Sequence, residues 1–262
     1  MTEPHWPSLR PTLVGYGRLL EAITVEGDLL VHSAIGADPR LGVPGCPGLT
    51  VGDTVRHTGS VYHQVLDWIR LGERPDDWQR HPDGDGFFAF HNEARLALAT
   101  ELAAHEPDEP CSTWWPAEQN YGFWRRRMAH ETTVHRVDVQ AAIGMEVGPV
   151  AVDFAADGID EVLALWFSHR LAELGMTATT HGAVGFETAN RAWLAILGRV
   201  RSTARRVHPA DARAADARVT GDPTAVYLWL WGRLPNSAVE TDGDFDAIAQ
   251  LWALLRPAMQ GR

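Results

Sequence analysis

The segment RRMAHETTVHRVD, residues 126–138, decides how the N-terminal half of this chain is organised. Glu131 and His135 lie four residues apart in it, and steps of four and three residues continue on both sides. Such spacing puts side chains along one face of a helix. The stripe consists of Trp124, Met128, Glu131, His135, Asp138 and Ala142. We therefore predict a helix from Asn120 to Ile143 whose striped face points into a core, with Gly144 just beyond its end.

A carboxylate and an imidazole buried one helical turn apart need a partner, because burying either group alone is costly. A divalent metal would supply that partner, since side chains four residues apart on a helix can reach one ion. Glu131 and His135 could instead pair with each other or with an arginine. The segment therefore indicates either a metal site or a buried ion pair.

A second predicted helix offers a third metal ligand. Thr50 is a suitable N-cap with Asp53 three residues later, so this helix should run from there to about Leu71. His57 lies partly on its inward side. Two imidazoles and one carboxylate suit zinc best, although nickel, iron and manganese accept the same ligand types, and three protein ligands would leave an open position.

Periodicity alone does not single out His57. A lone inward histidine is commonly a hydrogen-bonded core residue rather than a ligand. Four other histidines are equally available by composition, namely His63, His91, His130 and His169.

Two further helices complete the N-terminal region. Apolar residues at helical spacing predict one helix from Tyr16 to about Ile35 and another from Phe87 to His105. Four helices within residues 1–149 indicate a four-helix bundle. From residue 150 onward, helices alternate with short β-prone stretches, which lie near residues 183–188, 193–197 and 213–220. Residues 150–262 should therefore form a small domain of mixed α and β structure. We thus expect a two-domain α+β protein.

Composition excludes several classes of function. The net charge of −11 argues against a nucleic-acid or anionic-membrane partner. All 23 basic residues are arginine, which excludes a lysine Schiff base and a phosphate-loop lysine. No apolar run is long enough for a membrane span, and residues 1–6 lack a secretion-signal pattern. Cys46 and Cys111 are too few for a disulfide framework, so we expect a cytoplasmic protein.

Four stretches of the sequence carry a resemblance to a known family. VPGCPGLTVGDTVRH (residues 43–57) and RRMAHETTVHRVD (126–138), with LWLWGR (228–233) and the later DGD (242–244), are similar to the mycothiol-dependent maleylpyruvate isomerase family. The resemblance implies a DinB-like metal-binding bundle and a C-terminal domain like that of sterol carrier proteins. It also implies that His57, Glu131 and His135 hold the metal. Leu49 departs from the family, which commonly has Trp there, so we expect a reshaped pocket wall at this position, and the substrate stays open.

The resemblance further implies the chemistry. The metal, expected to be Zn²⁺, would hold mycothiol as a thiolate, and the thiolate would attack a small electrophile. Addition to an electron-poor double bond would give cis-trans isomerisation, whereas attack on a carbon bearing a leaving group would give S-transfer. The partners expected are therefore a low-molecular-weight thiol and a small-molecule electrophile.

Two further residues are candidates for catalytic roles. Asp138 could orient a metal ligand from one turn along the helix, or could be an ordinary salt-bridged residue. Arg233 could bind a substrate carboxylate, or could form a surface ion pair. Cys46 is interpreted as a small packing residue rather than a nucleophile.

Two other functions remain open from the sequence. One is a thiol-independent hydrolase that uses metal-bound water. The other is a non-catalytic protein that binds an apolar ligand in its C-terminal domain. Dependence on added thiol separates the isomerase or S-transferase from both.

Overall fold

The chain forms two compact units. The computed structural model describes residues 12–80, 82, 86–189 and 191–259. Contacts between Cα atoms group residues 14–149 into one unit and the described residues from 150 onward, with residues 12 and 13, into the other. The outer limits predicted for the domains, residues 1 and 262, lie outside the described residues.

The described residues of the first unit form four long helices. They are α1 (Tyr16–Ala34), α2 (Val51–Leu71), α3 (Phe87–Ala103) and α4 (Tyr121–Ala142). Helix α1 packs mainly against α4, and α2 packs mainly against α3 while also contacting α4. Part of the apolar core consists of Leu30, Val31, Val51, Val55, Phe87 and Val139, which come from all four helices. This arrangement confirms the expected helical N-terminal domain.

Side-chain caps begin the two helices that carry the predicted metal ligands. Thr50 accepts from the Asp53 backbone N–H, and the Asp53 side chain accepts from the Thr50 backbone N–H, which together form a capping box for α2. The Asn120 side chain accepts from the Phe123 backbone N–H at the start of α4. These local bonds explain why the predicted N-termini of both helices agree with the structure.

The second unit combines helices with one sheet. A continuous helical segment begins with α5 (Val152–Glu161), widens into a π-helix (Val162–Arg170) and ends with α6 (Leu171–Glu173). The remaining elements are β1 (Gly182–Thr188), β2 (Arg191–Leu197), β3 (Thr203–Val207), α7 (Pro209–Arg213), β4 (Ala217–Thr220), α8 (Pro223–Leu230), β5 (Glu240–Gly243) and α9 (Phe245–Met259).

The sheet has the order β3-β2-β1-β4-β5. Strands β1 and β4 are parallel, and the other neighbouring pairs are antiparallel. Phe186 in the central strand faces Trp193 on one side and Val219 on the other, which builds a continuous apolar row. Helix α9 packs on β1 and β4. The sheet confirms the predicted α+β fold with two domains.

Three details of the second unit differ from the sequence-based expectation. The β-prone stretch 213–220 contains the end of α7 and then the short strand β4. Strands β3 and β5 were not expected. Both are sheet edges with polar residues, TARRV and ETDG, and their backbone pairing with β2 and β4 holds them in place without an apolar alternation. None of the helices in the described ranges is both long and apolar enough to cross a membrane.

Candidate functional site

Between Tyr121 and Gln140, helix α4 is buried around its whole circumference except at one position. Every residue from Tyr121 to Gln140 is buried, apart from the half-buried Glu131. The helix therefore does not present one inward stripe, as its spacing predicted, because residues on all its faces are covered. Glu131 marks the place where this otherwise enclosed helix can be approached from outside.

The three predicted metal ligands lie together, with Glu131 between the two histidines. Its Oε1 lies 3.1 Å from His135 Nε2 and 3.4 Å from His57 Nε2. The two imidazole rings lie 5.1 Å apart between centroids and are nearly perpendicular, at 77°. One donor atom from each of the three residues lies within 4.8 Å of the others, close enough to share one ion. The site thus joins α2 to α4.

A buried arginine holds the other oxygen of Glu131. Arg127 Nη2 donates to Glu131 Oε2 at 2.8 Å, and the Arg127 side chain is only 3% exposed. Burial favours the neutral acid, but the charge of His135 and hydrogen bonds from both imidazoles hold the pKa of Glu131 well below its usual value. Glu131 is therefore a carboxylate in this arrangement.

His135 lies between two carboxylates. Its Nε2 faces Glu131, and its Nδ1 lies 3.1 Å from Asp138 Oδ2. Burial disfavours the charged imidazole, but the charge of Glu131 and hydrogen bonds to Asp138 and Glu131 outweigh it and raise the pKa of His135 to about 9. Asp138, which is 1% exposed, is therefore well placed to orient this imidazole.

Two more residues border the site. Cys46 donates from Sγ to Asp138 Oδ2 at 3.4 Å. Trp78 packs edge-on against the His57 ring at 5.9 Å between centroids, and it is largely buried. Trp78 thus covers one side of the imidazole that α2 contributes.

The structure separates His57 from the other four histidines considered. His63 stacks on Phe90, and His91 is fully buried beside Tyr62. His130 and His169 are buried as well. Among the described residues, only the His57 set and a second set of Cys46, His135 and Asp138 bring three possible metal donors together.

Arg233 belongs to the second unit and follows α8. Its Nη1 donates to the Trp231 carbonyl at 2.7 Å, and its guanidinium lies 5.7 Å from the centre of the Trp231 ring. These contacts hold the guanidinium of Arg233 near the tryptophan-rich turn.

Sequence reasoning did not assign roles to Arg127, Trp78 or Cys46 in this site. For Arg127 a local signal existed, because it precedes Glu131 by four residues and opposite charges at that spacing pair on a helix. Trp78 and Cys46 come from loops, and no periodic pattern relates a loop residue to a helix distant in sequence.

Comparison with known proteins identifies the family of the chain. The model of the mycothiol maleylpyruvate isomerase N-terminal domain matches residues 20–140, and the model of the C-terminal domain of the same family matches residues 153–250. Comparison with curated protein sequences finds no match.

Two solved structures share the fold. One is a crystal structure of the mycothiol-dependent maleylpyruvate isomerase, with a TM-score of 0.59 and 11% sequence identity. The other is a variant of that enzyme with one histidine replaced by alanine, with a TM-score of 0.58 and 11% identity. Each similarity covers 88% of this chain and 95% of the other. With two consecutive domain models matching most of its length, the chain belongs to the mycothiol-dependent maleylpyruvate isomerase family.

Proposed function

We propose that this protein is a mycothiol-dependent isomerase that converts a maleylpyruvate-type cis double bond to the trans form with the help of a metal. The reaction class is supported by the family of both domains. The proposal rests on one observation: donor atoms of His57, Glu131 and His135 lie close enough together to share one ion. They meet at Glu131, the one residue of α4 between positions 121 and 140 that is not fully buried.

The three donors fit a zinc ion. Zinc takes imidazole nitrogen and carboxylate oxygen at about 2.0–2.1 Å, so neighbouring ligands of a tetrahedral ion lie about 3.3 Å apart. The distances from Glu131 Oε1 to the two Nε2 atoms, 3.1 and 3.4 Å, agree with that separation. We therefore assign the metal ligands as His57 Nε2, Glu131 Oε1 and His135 Nε2, with a fourth position left for a thiol.

The chemistry follows from the thiol. A metal ion in this site would lower the pKa of a bound thiol, so that it is present as a thiolate at neutral pH. The sulfur lone pair forms a C–S bond with one alkene carbon, and the π electrons move onto the conjugated carbonyl oxygen. The former double bond can then rotate. Return of the electrons expels the thiolate and restores the double bond as trans, so no thiol is consumed.

The protein's own residues prepare this site. Arg127 holds Oε2 of Glu131, which leaves Oε1 for the metal. Asp138 accepts from Nδ1 of His135 and so directs Nε2 toward the metal position. Separately, we assign to Arg233, which belongs to the second unit, the binding of a carboxylate, because a guanidinium can bind a carboxylate through two parallel hydrogen bonds. Since the reaction needs a reduced thiol, we assign the enzyme to the cytoplasm.

The test combines metal content, thiol binding and turnover. Wild-type protein should contain about one zinc per chain, bind mycothiol and isomerise maleylpyruvate only when mycothiol is added. His57→Ala and Glu131→Gln should lose zinc and thiol binding together. His63→Ala is the matched control, because His63 lies on the same helix but stacks on Phe90 instead of facing Glu131.

Other outcomes would overturn parts of the proposal. Wild-type protein without metal would end the metal-site assignment. Zinc with thiol-independent hydrolysis of a substrate, and no isomerisation of maleylpyruvate, would make the enzyme a hydrolase. Thiol transfer to an alkyl electrophile, with no isomerisation of maleylpyruvate, would assign it to the S-transferases.

A further inference from the structure

Cys46 contacts the metal site through Asp138. Its Sγ donates to Asp138 Oδ2 at 3.4 Å, and the same oxygen lies 3.1 Å from His135 Nδ1. One carboxylate oxygen therefore links a thiol in the loop before α2 with an imidazole of α4. Asp138 is 1% exposed, so this link is shielded from competing water.

The loop that carries Cys46 is tightly held. The Cys46 backbone N–H donates to the Val43 carbonyl, and its carbonyl accepts from the Leu49 N–H, at 3.1 and 3.0 Å. The Val43 N–H donates to the Leu49 carbonyl across the same turn, at 2.9 Å. Gly48 has a φ of +97°, which a residue with a side chain rarely adopts. Backbone hydrogen bonds within this turn thus fix the position of Cys46.

We propose that Cys46 is a positioning residue of the metal site. Its S–H holds Asp138 Oδ2 against His135 Nδ1, and this contact directs His135 Nε2 toward Glu131 and His57. A thiol is a weak donor, but a bond to a carboxylate is strengthened by the charge of the acceptor. Partners that orient a metal-binding histidine typically change metal affinity by about 10–100-fold. The role in metal binding rests on the proposed function.

Cys46, Asp138 and His135 could be taken for a separate metal site, because one donor atom of each lies within 4.8 Å of the others. His135 belongs to both sets. If Nε2 binds a metal, Nδ1 can bind a second one only after losing its proton. If Nδ1 instead donates a hydrogen bond to Asp138, it retains its proton, and the observed distance of 3.1 Å between Nδ1 and Oδ2 is that of a hydrogen bond. The geometry therefore favours positioning over a second metal.

Three variants test this role. Cys46→Ala removes the donor, Cys46→Ser keeps an O–H donor, and Cys111→Ala is the control, because the Cys111 thiol instead donates to the Ser112 carbonyl at 3.5 Å. Zinc dissociation constants are measured by competition with a chelator at one pH, on samples whose folding is checked by denaturant unfolding. We expect Cys46→Ala to bind zinc about tenfold more weakly than wild type. Cys46→Ser and Cys111→Ala should stay close to wild type.

A second measurement does not depend on metal. In metal-free protein labelled with ¹⁵N-histidine, the His135 Nδ1 proton should be protected from exchange with water, and its signal is assigned by its absence in His135→Gln. We expect protection in wild type and Cys46→Ser, and faster exchange in Cys46→Ala. If neither wild type nor any variant binds zinc but the His135 proton exchanges faster only in Cys46→Ala, the proposed metal site fails. The positioning of His135 by Cys46 then still stands.

Three results would overturn the role of Cys46. One is unchanged zinc affinity in Cys46→Ala. Another is a metal-free protein in which Cys46→Ala leaves the exchange of the His135 proton unchanged. The third is a second zinc per chain that Cys46→Ala abolishes, which would make Cys46, Asp138 and His135 a metal site of their own.

Discussion

Arg127 donates from Nη2 to Glu131 Oε2 at 2.8 Å, from one turn earlier on α4. This ion pair determines which oxygen of the carboxylate remains available, because Oε1 is the atom that both imidazoles face. With Oε2 occupied, Glu131 would bind the proposed metal through one oxygen only. That would leave more of the coordination sphere for the proposed thiol.

Replacing Arg127 should therefore weaken metal binding. In Arg127→Leu, Oε2 loses its donor and Glu131 can rotate or bind through both oxygens. We expect zinc affinity to fall by about 10–100-fold, as for other outer partners of metal ligands. Chelator competition measures this change. Arg40→Gln is the control, since Arg40 is exposed and pairs with Asp38, and equal affinities of both variants would contradict the role of Arg127.

His91 should make the protein sensitive to acid. Burial lowers its pKa to about 4, and its Nε2 has no hydrogen-bond partner among the described residues. Because the folded pKa is below the unfolded value of 6.5, the unfolded chain binds the proton first, and stability falls as pH drops from 6.5 toward 4. Between pH 7 and pH 4, this one group should remove about 3 kcal/mol of the free energy of unfolding.

The measurement for His91 is urea unfolding at several pH values, with wild type compared to His91→Gln. The variant should be less stable at pH 7 but should lose about 3 kcal/mol less on acidification. Parallel curves for both proteins would show that His91 is not the group responsible.

Gly158 should be required for packing in the second unit. A Cβ at this position of α5 would overlap the ring of Tyr227, which is fully buried. We expect Gly158→Ala to lower the free energy of unfolding by about 1–3 kcal/mol. Gly17→Ala is a matched helical control, because nothing lies within 4 Å of its Cβ. That control should be stabilised by about 0.5–1 kcal/mol, since alanine favours helix more than glycine does.

The Cys111 thiol should react slowly with alkylating agents. Burial raises its pKa to about 11. At pH 8 its thiolate fraction should be about 100-fold lower than that of a thiol with the ordinary value of 9.0. In Cys46→Ser, where Cys111 is the remaining cysteine, alkylation by iodoacetamide should accelerate about tenfold per pH unit up to about pH 10. A plateau near pH 9 would contradict the raised pKa, and unfolded protein provides the reference rate.

The helices could be predicted largely from local sequence. Thr50 with Asp53 and Asn120 provide caps whose bonds span only three residues, so the starts of α2 and α4 depend on little else. The edge strands β3 and β5 could not be predicted, because their conformation depends on pairing with neighbours rather than on their own polar sequences.

The burial of α4 could not be read from its spacing. The stripe through Glu131 and His135 suggested one inward face, yet His130, Thr133 and Arg136 are fully buried as well. Arg136 tolerates this because its guanidinium donates to Glu26 at 2.7 Å and to Gln140 and the Gly148 carbonyl at 2.9 and 2.7 Å. Polar residues with such partners are buried without leaving an apolar signal in the sequence.

The sequence by itself determined the fold class, through its order of helices and β-prone stretches, and it determined the two helices of the site and the placement of Glu131 one turn from His135, through capping and spacing. The family resemblance of residues 43–57 also implied His57. Only the tertiary structure showed that His57 lies beside Glu131 and how the site is supported. His57 reaches Glu131 across 74 residues and Cys46 reaches Asp138 across 92. Such contacts arise when whole helices and loops pack together. Composition and periodicity do not show which side chains this packing brings into contact.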